Sequence, residues 1–253
     1  MVKYRGYFVL INLLCQGNEG DNMYKYLLWD IDGTVLDFLA SEAYAIRTLF
    51  RKYNLGECTE EMLKLYSEIN AKYWRMLERN EITKPQVLIG RFLEFFSIIG
   101  VDANVAESFN NDYQLTLGDH IEFIENAKEV LLLSKGKFVI AAVTNGTKVA
   151  QEKKLRMSGL DKIFDAVFIS EDVGAEKPNE QYFNYVFENL GITNKKEVLI
   201  IGDSLIADMK GGYNSGIDTC WFNPARNPNT VGIPITYEID NINKILYIVN
   251  KGE

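Results

Sequence analysis

Short apolar runs recur along the second half of the chain: KFVIAAVT (137–144), DAVFIS (165–170), EVLIIGD (197–203) and DTCWF (218–222). Between them lie stretches with helical spacing, through AKEVLLLSKG (127–136), near 148–158, near 180–190 and near 205–215. Near-continuous apolar strands joined by helical crossovers predict a parallel sheet covered on both faces. Tyr24 to Trp29 reads as a further buried strand ahead of this series. From about Phe38 to Leu117 the period changes to that of helices. Ser41 is a plausible N-cap before the first of these, and Thr59-Glu60-Glu61-Met62 opens the second. Thr83 to Ile99 carries Val87, Leu88, Phe92, Phe95 and Phe96 at helical spacing, and 102–117 gives a weaker fourth helix. The pattern predicts an α/β protein, a doubly wound parallel Rossmann-like sheet with an all-helical insertion. The expected core spans 24–37 and 118–253, and the expected insertion spans 38–117.

Composition adds bounds. With 47% hydrophobic and 25% charged residues over 253 positions, the chain resembles an ordinary globular protein, one large domain or a domain with an insertion. The net charge of −8 and the lack of any Lys/Arg run argue against polymeric nucleic acid and anionic membranes as partners. A small anionic ligand stays open where local positive charge is provided. Cys15, Cys58 and Cys220 are odd in number and form no C-x-x-C, so a disulfide framework or zinc site is not expected and a reducing cytoplasm fits. His120 is the only histidine, which excludes a multi-histidine metal site; it is expected to be structural.

Residues 1–22 fit neither a membrane span nor a cleaved signal: Tyr7 to Leu14 is too short, and no A-x-A-like site follows. Glu19-Gly20-Asp21-Asn22 precedes Met23, and its codons can read as a purine-rich ribosome-binding sequence before ATG. Met23 is therefore the expected start, with the preceding segment a translated leader or disordered. An intact mass of the native protein beginning at Met1 would overturn this.

Polar residues at the strand ends carry the chemistry, because ligands bind outside the carboxyl ends of parallel strands. Four motifs stand out: D-I-D-G-T (30–34), V-T-N-G (143–146), E-K-P (176–178) and G-D-S-L-I-A-D (202–208). If Asp30, Asp32, Asp203 and Asp208 converge, each like pair at 4 Å repels by roughly 4 kcal/mol at an effective dielectric of 20. Such a cluster calls for a cation. The candidate ligands are all oxygens, so a hard divalent ion follows, with Mg²⁺ preferred beside phosphate. Lys177 adds positive charge, and Pro178 is expected in the first turn of the next helix. The Thr144 hydroxyl and the N–H groups after it, from Asn145 on, suit phosphate oxygens. One carboxylate can attack a phosphoryl group while a second serves as acid and then base.

These motifs, in this order, resemble the haloacid dehalogenase superfamily of phosphatases. GDHIEFIENAKEVL, FISEDVGAEKPNEQYFNYVFENLG and IIGDSLIADMKGG resemble its YjjG/YfnB-type pyrimidine 5′-nucleotidase group, whose helical cap follows motif one. The resemblance covers Tyr24 to the C-terminus. It implies Asp30 as nucleophile, Asp32 as general acid/base, Thr144 as phosphate binder and Lys177 as support for both. It implies Mg²⁺, for which Mn²⁺ can substitute, held by Asp30, the Asp32 carbonyl and Asp203, with Asp208 supporting. The implied substrate is a small phosphorylated metabolite, a pyrimidine nucleoside monophosphate. Asp32 argues against the metal-independent dehalogenases, which lack it.

Other readings stay open. A phosphomutase or a sugar-phosphate phosphatase shares the nucleophile and acid. A phospho-acceptor regulatory module uses acids, a Thr and a Lys, but is about half this size and lacks the insertion. Tyr66, Tyr73, Trp74 and Met76 either pack the helices or shape a base pocket. Gly211-Gly212 does not complete a G-x-G-x-x-G, so no dinucleotide site is expected.

Overall fold

The computed structural model describes residues 23–250; the expected leader lies outside the described residues. Six strands, β1 (Tyr26–Trp29), β2 (Val139–Thr144), β3 (Ala166–Ile169), β4 (Val198–Gly202), β5 (Asp218–Phe222) and β6 (Tyr237–Ile239), form one sheet. Its order is β3-β2-β1-β4-β5-β6, with every neighbouring pair parallel. The helices are α1 (Phe38–Lys52), α2 (Glu60–Glu78), α3 (Lys84–Ile99), α4 (Ala106–Thr116) and α5 (Ala127–Ser134). They continue as α6 (Lys148–Ser158), the short α7 (Ser170–Val173), α8 (Glu180–Leu190), α9 (Gly211–Ser215) and α10 (Lys244–Val249). Among the described residues no helix is long and apolar enough to cross a membrane.

The chain packs as two compact units. Among the described residues, one comprises those up to Val35, Phe123–Asn145 and those from Lys162 on; the other comprises Leu36–Glu122 and Gly146–Asp161. The segment 146–161, expected with the sheet, thus groups by contact with the helical unit.

In the sheet unit, Leu28, Val139, Ala141, Val143, Val198 and Ile200 share one face and pack on Tyr182, Phe183, Val186, Phe187 and Leu190 of α8. Their alternates Leu27, Trp29, Ile140, Ala142, Leu199 and Ile201 are also buried. Burial on both faces is why these strands read as unbroken apolar runs. In the helical unit, α1–α4 close on an aromatic cluster in which Phe92 touches Tyr66, Phe96, Phe109 and Tyr113. Tyr66 is fully buried and stacked on Phe92 at 5.1 Å, so it packs the core.

Local caps explain the boundaries. Asp37, not Ser41, caps α1: its carboxylate accepts the Ala40 N–H at 3.0 Å, and Ser41 lies inside the first turn. Thr59 caps α2 through the Met62 N–H, and Thr83 with Gln86 forms a capping box at α3. The predicted helix from Leu205 opens as a π-helical turn, Leu205–Lys210, before α9. Pro178 lies ahead of α8 rather than in its first turn, because Asn179 is the N-cap.

Candidate active site

β1 sits between β2 and β4, with Trp29 in register with Ala142 and Ile201. The three strands therefore end together, and their next residues share one rim. Asp30 continues β1 by donating its N–H to Ile201 O at 2.9 Å. Thr144 closes β2, and Asp203 follows the last residue of β4. The chain then turns at Asp32, with the Val35 N–H on Ile31 O at 2.9 Å and Gly33 at φ +88°.

Lys177 is the hub. Its buried ammonium donates to Asp30 Oδ1 at 2.7 Å, Asp208 Oδ1 at 2.6 Å and Val143 O at 2.9 Å. Burial opposes its charge, but Asp208 and Asp30 outweigh burial and hold its pKa above the usual lysine range. Burial pushes Asp30 up, Lys177 pulls it down, and Asp208 and Asp203 push it up again; the net shift is upward. Carboxylate oxygens of Asp30, Asp203 and Asp208 lie within 4.8 Å of one another. Three carboxylates against one ammonium leave two negative charges, which matches a divalent cation in both charge and oxygen donors.

Asp208 reaches this place because the π-helical turn returns it over the strand end. Its Oδ2 accepts the Ser204 N–H at 3.1 Å, and a Cβ on Gly202 would fall 2.2 Å from the same oxygen. Asp32 stands half-buried in the turn, and its carboxylate is outside the three-acid cluster. Thr144 is buried at the rim. Asn145 directs its side-chain amide to the main chain of Lys177. His120 lies in the helical unit, stacked on Tyr44 at 5.1 Å and bonded to Glu122 at 2.7 Å.

Three residues went unnoticed in the sequence. Thr34 Oγ1 donates to Asp203 Oδ1 at 3.4 Å, and Trp221 Nε1 donates to Asp203 O at 2.9 Å. Tyr182 donates its hydroxyl to Phe168 O at 2.7 Å at the end of β3. Thr34 stood inside a motif already picked out. Trp221 is an ordinary strand aromatic until β5 is known to lie beside β4.

A strand-end acid cluster with a buried lysine, on a parallel sheet interrupted after β1 by helices, defines a class of hydrolase. The sequence profile of the haloacid dehalogenase-like hydrolases matches residues 27–222, and the chain belongs to that family. It is 40% identical over 227 residues to the HAD-hydrolase YfnB of Bacillus subtilis, covering 90% of this chain and 96% of YfnB. It is 32% identical over 230 residues to the pyrimidine 5′-nucleotidase PynA of Streptococcus pneumoniae, covering 90% and 96%. A crystal structure of YfnB bound to magnesium superposes with a TM-score of 0.85 over 90% of this chain and 99% of that one.

Proposed function

We propose that this hydrolase is a Mg²⁺-dependent phosphomonoesterase that works through an aspartyl-phosphate on Asp30, with pyrimidine nucleoside 5′-monophosphates as substrates. The observation that carries the reading is Asp30, buried at a strand end, bonded to Lys177 and set within 4.8 Å of two further carboxylates. The substrate class draws on the likeness to PynA.

Asp30 attacks phosphorus along the line of the ester bond. Asp32 gives its proton to the departing ester oxygen. The Thr144 hydroxyl and the main-chain N–H groups after it hold phosphoryl oxygens. Lys177 stays charged between Asp30 and Asp208, keeps Asp30 oriented, and offsets charge on the transferring group. Asp32, now ionised, takes a proton from water, which attacks the phosphoryl group; phosphate leaves and Asp30 is restored. Asp30, Asp203 and the Asp32 carbonyl would hold Mg²⁺, with Asp208 supporting, and the ion would offset negative charge on the phosphoryl oxygens.

The test is p-nitrophenyl phosphate turnover with and without Mg²⁺. Activity is expected to need the metal and to vanish in Asp30→Asn; full activity in that variant refutes the mechanism. A screen of nucleoside monophosphates against sugar phosphates is expected to favour UMP and CMP. A preference for sugar phosphates would overturn the substrate assignment alone.

A further inference from the structure

Lys177 reaches the site from a loop, not a strand. It lies between α7 and the Asn179 cap of α8. Yet its ammonium must serve Asp30, Asp208 and Val143 O at once. A flexible four-carbon stem does not hold three such contacts unless its own main chain is fixed.

Asn145 supplies that fixture. Its Oδ1 accepts the Lys177 N–H at 2.8 Å, and its Nδ2 donates to the Lys177 carbonyl at 2.8 Å. The side-chain amide thus pairs with both main-chain groups of one residue, as a neighbouring strand would. Two bonds of this kind set height and rotation together, whereas one would leave a pivot. Asn145 itself directly follows Thr144, the last residue of β2. The rigidity of the sheet is passed through one amide to the loop that carries the lysine.

We infer that Asn145 is a positioning residue, which acts on the reaction through Lys177 by clamping its main chain to the end of β2. This rests on the phosphatase reading for its kinetic consequence, but not for the clamp itself. Asn145→Ala removes both bonds and leaves the Asn145 main-chain N–H in place for phosphate. Asn145→Ser serves if the alanine variant is unstable.

Two measurements decide. Amide hydrogen exchange by NMR, on the full chain, reads the clamp directly. In Asn145→Ala the Lys177 amide is expected to exchange at least about tenfold faster, while amides of Leu199 and Ile200 in β4 keep their protection. Unchanged protection at Lys177 overturns the clamp. Turnover of p-nitrophenyl phosphate reads the consequence: kcat is expected to fall about 100-fold, with KM and inhibition by inorganic phosphate within about threefold of wild type. A rise in KM and a matching loss of phosphate inhibition at unchanged kcat would overturn the inference, because Asn145 would then hold phosphate itself. An inactive wild type would refute the phosphatase reading, and the exchange result would still stand or fall separately.

Discussion

A methyl group on Gly33 would stand 2.5 Å from Asp203 Oδ2, on a backbone at φ +88° that side chains rarely adopt. The glycine of D-I-D-G-T therefore does two things, since it turns the chain after β1 and leaves room for a carboxylate from β4. Gly33→Ala is expected to displace Asp203 and cut Mg²⁺-dependent turnover by about 100-fold, with the circular dichroism spectrum retained; activity within twofold of wild type would count against this.

Glu42 gives a second residue-level prediction. It is buried in α1, where it accepts from Ser67, from Asn70 at 2.8 Å and from Tyr113 at 3.5 Å; Asn70 in turn accepts from Arg91 at 2.6 Å. Burial pushes its pKa up to about 7 against those donors and Arg91. A carboxyl raised in the folded state binds its proton more tightly there, so its contribution is complete below about pH 4.5 and declines as pH rises through about 7. Glu42→Gln is expected to match wild type in thermal stability at pH 4 and to exceed it at pH 8, by up to about 3 kcal/mol. An equal difference at both pH values would exclude this origin.

Asp30, Asp32, Asp203 and Thr144 could be picked out of the sequence because strand-end polarity is a local pattern, whereas Lys177 and Asp208 were legible only through the short motifs that contain them. Thr34, Trp221 and the side-chain role of Asn145 could not be picked out, because each acts on a residue brought to it by strand pairing or by a loop.

Among the elements, α6 and α8 follow the predicted bounds at both ends because their signals are local: Thr147 and Asn179 cap their starts and Gly159 and Gly191 their ends. The helix expected near 205–215 is present over that span, but tertiary demands set its geometry. The turn after Ser204 widens to a π-helical geometry, with Met209 N–H on Ser204 O at 3.1 Å, and carries Asp208 to Lys177. Helical spacing alone does not distinguish that turn from an ordinary one. β6 is three residues long with only Ile239 fully buried, too little pattern to read as a strand. β5 matters beyond packing because the Trp221 indole holds the Asp203 carbonyl. Trp221→Phe keeps the apolar bulk and removes that bond; the Mg²⁺ concentration for half-maximal activity is expected to rise about tenfold. An unchanged metal requirement would show that the bond does not position Asp203.

At the scale of the whole molecule, the residues of the site come from positions 30, 144, 177, 203 and 208, so the acids meet only when the sheet is assembled. A ligand that binds this assembled cluster must stabilise the fold. Mg²⁺ at about 100 times its dissociation constant should add about 2.7 kcal/mol, visible as a higher melting temperature that chelation reverses. Asp203→Asn should abolish the shift; a shift of full size in that variant would place the metal elsewhere.

The chain leaves the sheet and returns to it at nearly one point. Ile124 N–H meets Val35 O at 3.0 Å, and Asp37 N–H meets Glu122 O at 2.9 Å. Entry and exit of the helical segment are thus zipped side by side. Once the ends are joined, the loop-closure entropy of what lies between grows only with the logarithm of its length. Helices can be lengthened, shortened or exchanged within 38–121 at little cost to the strands that carry the acids. The zipper therefore makes the helical segment a cassette whose length can change, its packing with 146–161 kept, while the strand-end chemistry stays fixed.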